Sequence, residues 1–199
     1  MAKKHSCQLL GDIAFQAIRY YSQMAGQLTA IEGFIRDFSA QSYHRATSDR
    51  VSVELPIRTF LYQWHVDRNA LAGLGNFRID MAAFTDALRE TTIDLDLLVE
   101  YKLWTDRFKV ASDVSRIKQI IGAVKSLAGH QDLDIGGYVV VCPQYYQGLS
   151  AVDGAMSDFS NRFPLCYQRT ESLLARNGVT YGVGVAVIDV HQCQPGNFG

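Results

Sequence analysis

The chain has 199 residues, of which 48% are hydrophobic, and its 19 Lys and Arg residues nearly balance its 20 Asp and Glu residues. This composition excludes a disordered chain and predicts a single domain that can bury a core. The formal net charge of −1 argues against a protein that coats nucleic acid through overall positive charge. It permits an enzyme whose positive charge is local.

Location and redox state follow from what the sequence lacks. No segment approaches the apolar length of a membrane span, so we expect no membrane partner. The first residues lack the apolar core of a signal peptide, which predicts a cytoplasmic protein. Its four cysteines (Cys7, Cys142, Cys166 and Cys193) form no Cys-x-x-Cys pair, so we expect reduced, mostly buried thiols.

The N-terminal quarter of the chain predicts helix. Apolar residues recur at three- and four-residue steps from Cys7 to about Ala40, and Gly26 and Gly33 are placed to bend or divide this helix. Such a helix either wraps the sheet or supplies a contact for a homodimer. The polar residues 41–50 then predict a loop.

Strand patterns dominate the middle of the chain. Residues 51–57 alternate as a half-buried strand does, and residues 58–66 alternate again, as a continuation of that strand or a partner to it. Residues 77–84 and 93–104 predict two further strands joined by a polar segment.

A crossover and two more elements follow. Ser112 is a good helix N-cap, and the apolar stripe after it predicts a helix that ends near Gly129. Residues 137–143 predict a buried strand parallel to the preceding one. Residues 165–176 predict a helix and residues 179–190 a last strand. The result is a mixed α/β fold, a mixed sheet flanked by helices.

We therefore expect one domain over residues 1–199. Its parts are a helical region (1–50), a central core (51–142) and a C-terminal helix and strand (143–199). We expect the residues that perform the protein's chemistry to lie in this central core.

The most informative residues lie on two of the predicted strands. Glu100 and Lys102 are two apart, so they project from the same face of a strand. Burying two ionised side chains in an apolar strand costs free energy unless the two charges neutralise each other or bind a metal. Asp80, on the preceding strand, could share a metal with them.

These residues resemble the signature of a known family. Arg-Ile-Asp-Met around Asp80, followed by Val-Glu-Tyr-Lys at 99–102, is similar to the PD-(D/E)XK nuclease superfamily, which has the restriction-endonuclease-like fold. The resemblance covers about residues 30–142. Ile79 stands where the family's name-giving proline would be.

The resemblance implies a nuclease that hydrolyses phosphodiester bonds of nucleic acid, in particular DNA. Mg²⁺, or alternatively Mn²⁺, would be held by Asp80, Glu100 and the backbone carbonyl of Tyr101. Lys102 would orient the attacking water or stabilise the developing charge.

Other site residues are implied as well. Such sites often take a further carboxylate, for which Glu54 and Glu32 are the candidates, with the context of Glu54 slightly favoured. Lys109 and Arg116 belong to a locally basic segment suited to binding phosphate.

Three alternatives stay open on the sequence alone. Asp94 or Asp96, on the same strand parity as Glu100, could replace Asp80 as a ligand. The chain could be a catalytically inactive member of the fold that serves as an adaptor or structural subunit of a larger assembly. The Glu100–Lys102 pair could also be a plain salt bridge in an unrelated α/β binding domain.

Overall fold

A computed structural model of the protein describes residues 3–25, 30–64, 66, 69–70, 72–85, 94–103, 107–127, 129–145, 148–174 and 178–194. The strands are β1 (Arg50–Pro56), β2 (Arg78–Phe84), β3 (Leu95–Leu103), β4 (Gly136–Cys142), β5 (Gln144–Tyr145), β6 (Leu165–Leu174) and β7 (Thr180–Asp189). The helices are α1 (Lys3–Ala25), α2 (Glu32–Thr47), α3 (Ile57–Gln63), α4 (Arg107–Lys125) and α5 (Leu149–Ser160), and a 3-10 turn, Val190–Gln192, follows β7.

The described strands form one seven-stranded mixed sheet in the order β1–β2–β3–β4–β7–β5, with β6 also paired to β7. β3 and β4 are parallel and are joined through α4, as the sequence predicts. The β1–β2, β2–β3, β4–β7, β5–β7 and β6–β7 pairs are antiparallel. The mixed α/β fold is therefore confirmed.

The sheet lies between two layers of helices. Side chains of α1 and α2 pack on one face of the sheet, and side chains of α3, α4 and α5 pack on the other. The β4 strand is buried along its whole length, as its continuous apolar sequence requires. None of the described helices combines the length and apolarity that crossing a bilayer needs.

The N-terminal region is helical and is divided into two helices, as the prediction allowed, but it extends further than expected. α1 ends at Ala25 and α2 begins at Glu32, so Gly33 lies inside the second helix; Gly26 is outside the described residues. α2 also runs through most of the segment that we expected to be a loop, because Tyr43 continues its buried stripe. The helix ends at Ser48, whose left-handed φ of 65° closes a capping hydrogen bond to the His44 carbonyl.

The segment after β1 is a helix rather than an extended chain. Residues 57–63 form α3, and Ile57 and Leu61 are both fully buried. These two residues are four apart, which is the spacing of one helical face. The alternation in residues 58–66 was therefore a misleading signal.

The crossover helix begins earlier than predicted. α4 starts at Arg107, so Ser112 lies inside the helix and is not its N-cap. Val110 is 3% exposed and extends the apolar stripe of Val114 and Ile117 by one turn. Because α4 starts at Arg107, Asp113 lies in the body of the helix, whereas an N-cap at Ser112 would have placed it in the first turn.

The C-terminal prediction of a helix is wrong. Residues 165–174 form β6, which pairs with β7 over nearly its whole length. Antiparallel pairing with the next strand of the chain overrides a weak local helical pattern here. The helix in this region is instead α5, at residues 149–160, which the sequence analysis did not identify.

Two of the four cysteines are bonded, contrary to the expectation of reduced thiols. Cys7 on α1 and Cys166 on β6 form a disulfide between residues 159 positions apart, while Cys142 and Cys193 are buried free thiols. The bond ties the first helix to the far end of the sheet. The cytoplasmic location stays a prediction.

The disulfide gives a direct test. In denaturant, we expect the oxidised protein to react with a thiol reagent at two cysteines, and the reduced protein at four. Reduction should lower the free energy of unfolding by about 2–4 kcal/mol, because the bond closes a long loop. In the Cys7→Ser, Cys166→Ser double variant, the free energy of unfolding should not change when reductant is added. Four reactive thiols in the oxidised wild type would contradict the pairing.

Candidate active site

The site lies where β2 and β3 stop pairing. Their ladder extends as far as Met81 opposite Val99, and two carboxylates connect the strands beyond that point. The Asp80 backbone N–H donates to Glu100 Oε1 at 3.1 Å, and the Tyr101 backbone N–H donates to Asp80 Oδ2 at 2.8 Å. Each carboxyl group is thus held by the backbone of the opposite strand.

An irregularity in the sheet accompanies this arrangement. Ile79 and Met81 are two apart in β2, so regular alternation predicts that they face the same way, but they pack in clusters on opposite faces of the sheet. Opposite Asp80, Glu54 has a left-handed φ of 55° and is absent from the β1–β2 register. Side chains near Asp80 therefore do not alternate regularly between the two faces of the sheet, and the sequence pattern does not predict which face each one occupies.

Lys102 lies at the centre of the site. Its Nζ is 3.1 Å from Glu100 Oε2 and 3.5 Å from Asp113 Oδ2. It is 3.9 Å from Glu32 Oε1 and 4.0 Å from Asp80 Oδ2. The four carboxylates come from β3, α4, α2 and β2, so four separate elements converge on one ammonium group.

Two of the predicted ligands are engaged by the lysine itself. Lys102 Nζ donates to the Tyr101 backbone carbonyl at 2.9 Å and to the Glu100 carboxylate. Carboxylate and carbonyl oxygens are the ligands that Mg²⁺ prefers in proteins. Among the described residues, no three or more His, Cys, Asp or Glu side chains are arranged to hold a metal ion. Lys102 lies between the carboxylates that could otherwise form such a site.

Asp113 is the site residue that the sequence analysis missed. Its side chain is only 3% exposed, and Arg116 donates to its Oδ1 at 3.1 Å. Its Oδ2, which faces Lys102, finds no hydrogen-bond donor among the described residues. A detectable signal existed, because Asp113 occupies the same helical stripe as Val110 and Ile117, where a carboxylate requires a partner.

Of the two further acids proposed, Glu32 reaches the cluster. Besides its contact with Lys102, Glu32 accepts a hydrogen bond from the Leu103 backbone N–H at 3.4 Å. Glu54 is instead bound by Arg36, which also donates to Asp37 at 2.8 Å. The slight preference for Glu54 therefore has no support in the contacts.

Burial raises the pKa values of three acids in the site. Burial, followed by the neighbouring Asp80 charge, raises the pKa of Glu100 to about 8. Burial also raises the pKa of Asp80 and of Asp113. Burial alone would lower the pKa of Lys102, but the surrounding carboxylates outweigh it and raise that pKa, so the ammonium stays charged.

The predicted phosphate binders lie on α4. Arg116 is 42% exposed, pairs with Asp113 and lies 4.9 Å over the ring of Phe77. Lys109 is exposed on the first turn of the helix. Elsewhere in the basic segment, Lys118 donates to the Cys193 carbonyl.

The alternative ligands lie far from this centre. Asp94 directly precedes β3 and Asp96 is its second residue, whereas Glu100 is near its end. Four residues of strand separate Asp96 from Glu100 by about 13 Å. The strand pairing therefore selects Asp80 as the acid beside Glu100.

Comparison of the chain with protein-family models, with curated proteins and with solved structures found no match. The resemblance to the PD-(D/E)XK nucleases thus rests on the short sequence motifs alone.

Proposed function

We propose that the protein is a nuclease that depends on a divalent cation and hydrolyses phosphodiester bonds of DNA. The observation that carries this proposal is a charge imbalance. Four carboxylates surround Lys102, and Arg116 pairs with one of them. With all groups ionised, the cluster keeps a net charge of −2, which one divalent cation would neutralise.

The donor chemistry fits Mg²⁺, or alternatively Mn²⁺. Asp80, Glu100 and the Tyr101 carbonyl would hold the ion, since all three present hard oxygen atoms at the same end of β2 and β3. When bound there, it would polarise a phosphate oxygen and lower the pKa of a bound water. The backbone hydrogen bonds to Asp80 and Glu100 would keep both carboxylates oriented for this task.

Lys102 and α4 supply what phosphoryl chemistry needs besides the ion. The Lys102 side chain is 20% exposed, so it can meet a substrate while it remains among the acids. There it would stabilise the negative charge that develops on the phosphate in the transition state. The exposed Arg116 and Lys109 would bind flanking phosphates.

The test is cleavage of plasmid, linear and single-stranded DNA in the presence of Mg²⁺, Mn²⁺ or EDTA. We expect cutting that requires the metal and that Asp80→Asn lowers by at least about 10²-fold. Asp158→Asn, an exposed change on α5, is the matched control and should cut like the wild type.

Equal cutting by the wild type and Asp80→Asn would identify a contaminant and defeat the proposal. Cation binding without cleavage of any DNA would favour the inactive adaptor instead. A homodimer, which could cut both strands together, stays a prediction.

A further inference from the structure

The position of Lys102 creates a conflict with a bound cation. Its Nζ donates to both Glu100 and the Tyr101 carbonyl, two of the groups that would hold the ion. An ammonium group and a divalent cation repel each other strongly in a poorly hydrated site. Lys102 therefore has to give up part of its present contacts when the ion binds.

Asp113 offers a second place for the ammonium group. Asp113 Oδ2 is buried, lies 3.5 Å from Lys102 Nζ and has no hydrogen-bond donor among the described residues. A small rotation of the lysine side chain would convert this contact into a hydrogen bond. The other acids near Lys102 are less suited, since Asp80 accepts the Tyr101 N–H and Glu32 accepts the Leu103 N–H.

Asp113 is also held in place through its other carboxylate oxygen, Oδ1. Arg116 donates to its Oδ1 at 3.1 Å, and the guanidinium group of Arg116 packs on the Phe77 ring. This support fixes Oδ2 toward Lys102. Because Arg116 cancels one charge of the cluster, Asp113 can accept the ammonium without needing the cation.

We propose that Asp113 is a positioning residue that receives Lys102 when a divalent cation occupies the Asp80 and Glu100 oxygens. This inference rests on the cation site proposed above. Asp113 does not touch the cation; it keeps the ammonium group beside the phosphate after Glu100 has turned to the ion.

The test compares wild type with Asp113→Asn, which removes the charge and keeps the volume. The side-chain ammonium of Lys102 is followed by NMR, assigned through its loss in Lys102→Met. In the wild type, we expect the ammonium protons to be protected from solvent exchange both with and without Mg²⁺. In Asp113→Asn, protection should persist without Mg²⁺ and be lost with it.

Affinity and turnover complete the test. Asp113→Asn should bind Mn²⁺ within about threefold of wild type and lower kcat by about 10–100-fold, with KM for DNA nearly unchanged. Arg116→Gln removes the donor to Asp113 Oδ1, so it should lower kcat in the same direction by less, and it should also raise KM for DNA because it removes a phosphate contact. Asp158→Asn again serves as the control.

The outcomes separate this inference from the proposed function. A loss of Mn²⁺ affinity of tenfold or more in Asp113→Asn would make Asp113 a ligand and overturn its positioning role. Normal Mn²⁺ binding with an unchanged Lys102 signal in that variant would overturn the inference while leaving the nuclease intact. No Mn²⁺ binding by the wild type would overturn both.

Discussion

Replacing Lys102 with Met should lower kcat for DNA cleavage by about 10²–10³-fold and leave KM for DNA within about threefold. Methionine keeps most of the apolar stem of the lysine side chain, so the change removes mainly the charge. That charge meets the phosphate in the transition state more strongly than in the ground state. Steady-state kinetics with a labelled duplex measures both constants.

The same variant should bind divalent cations at least as tightly as the wild type. Lys102 Nζ now lies within 4.0 Å of four carboxylates, so it competes with any cation for their oxygens. Removing it leaves buried negative charges without a partner, which a cation can neutralise. Asp80→Asn should do the opposite and weaken cation binding.

Lys125→Met is the matched control, because it makes the same change at the far end of α4, about 18 Å along the helix from Asp113. It should leave kcat and cation binding unchanged. If Lys102→Met weakens cation binding as much as Asp80→Asn does, the lysine is a structural partner of the acids. Its assignment to the phosphate would then be wrong.

The centre of this site could be predicted from the sequence, because the geometry of a single strand and its neighbour is enough to bring its residues together. Glu100 and Lys102 share a face through the two-residue period of a strand, and Asp80 lies on the adjacent hairpin partner. A charged pair inside an apolar segment is a conflict that can be recognised without any structure. The contacts of Lys102 with Asp80 and Glu100 were therefore accessible to reasoning from the residues.

The outer parts of the site were less accessible. Glu32 and Asp113 reach Lys102 only because α2 and α4 pack on opposite sides of the end of β3, and such docking is not encoded in any local pattern. For Asp113, the misplaced helix start hid a carboxylate that interrupts a buried stripe.

The fold shows the same division. Buried strands such as β4 have an unambiguous apolar run, whereas β6 depends on pairing with β7 for its conformation. The Cys7–Cys166 bond joins residues that the sequence gives no reason to bring together. Local sequence thus determined the central strands, whereas β6 depends on its hairpin partner and the disulfide depends on a contact between distant parts of the chain.

In the absence of divalent cations, the protein should lose stability as the pH rises from about 5 to about 8. The pKa of Glu100 is about 8 in the folded protein, well above its ordinary value of about 4.3. The folded state therefore binds more protons than the unfolded state in this range, and the free energy of unfolding falls as pH rises. The contribution is fully present below the ordinary pKa and is lost through pH 8.

Glu100→Gln isolates this contribution. The amide cannot titrate, so the variant should show a flatter dependence of Tm on pH than the wild type, with the curves diverging by about 5–10 °C across the range. Glu171→Gln changes an acid on β6 that pairs with Arg169, away from the site, and should follow the wild type. Identical profiles for wild type and Glu100→Gln would mean that Lys102 keeps Glu100 ionised throughout, as in a plain salt bridge.

Mg²⁺ should reverse the loss in the wild type. A carboxylate has to be deprotonated to bind a metal, so stabilisation by Mg²⁺ should grow from about pH 5 to about pH 8. Protons and the cation thus relieve the same repulsion among Asp80, Glu100 and Asp113. Protonation should dominate near pH 5, and cation binding should dominate near pH 8. Thermal scans with Mg²⁺ and with EDTA measure this exchange without relying on cleavage. A Mg²⁺ effect of equal size at both ends would place the ion outside the acid cluster.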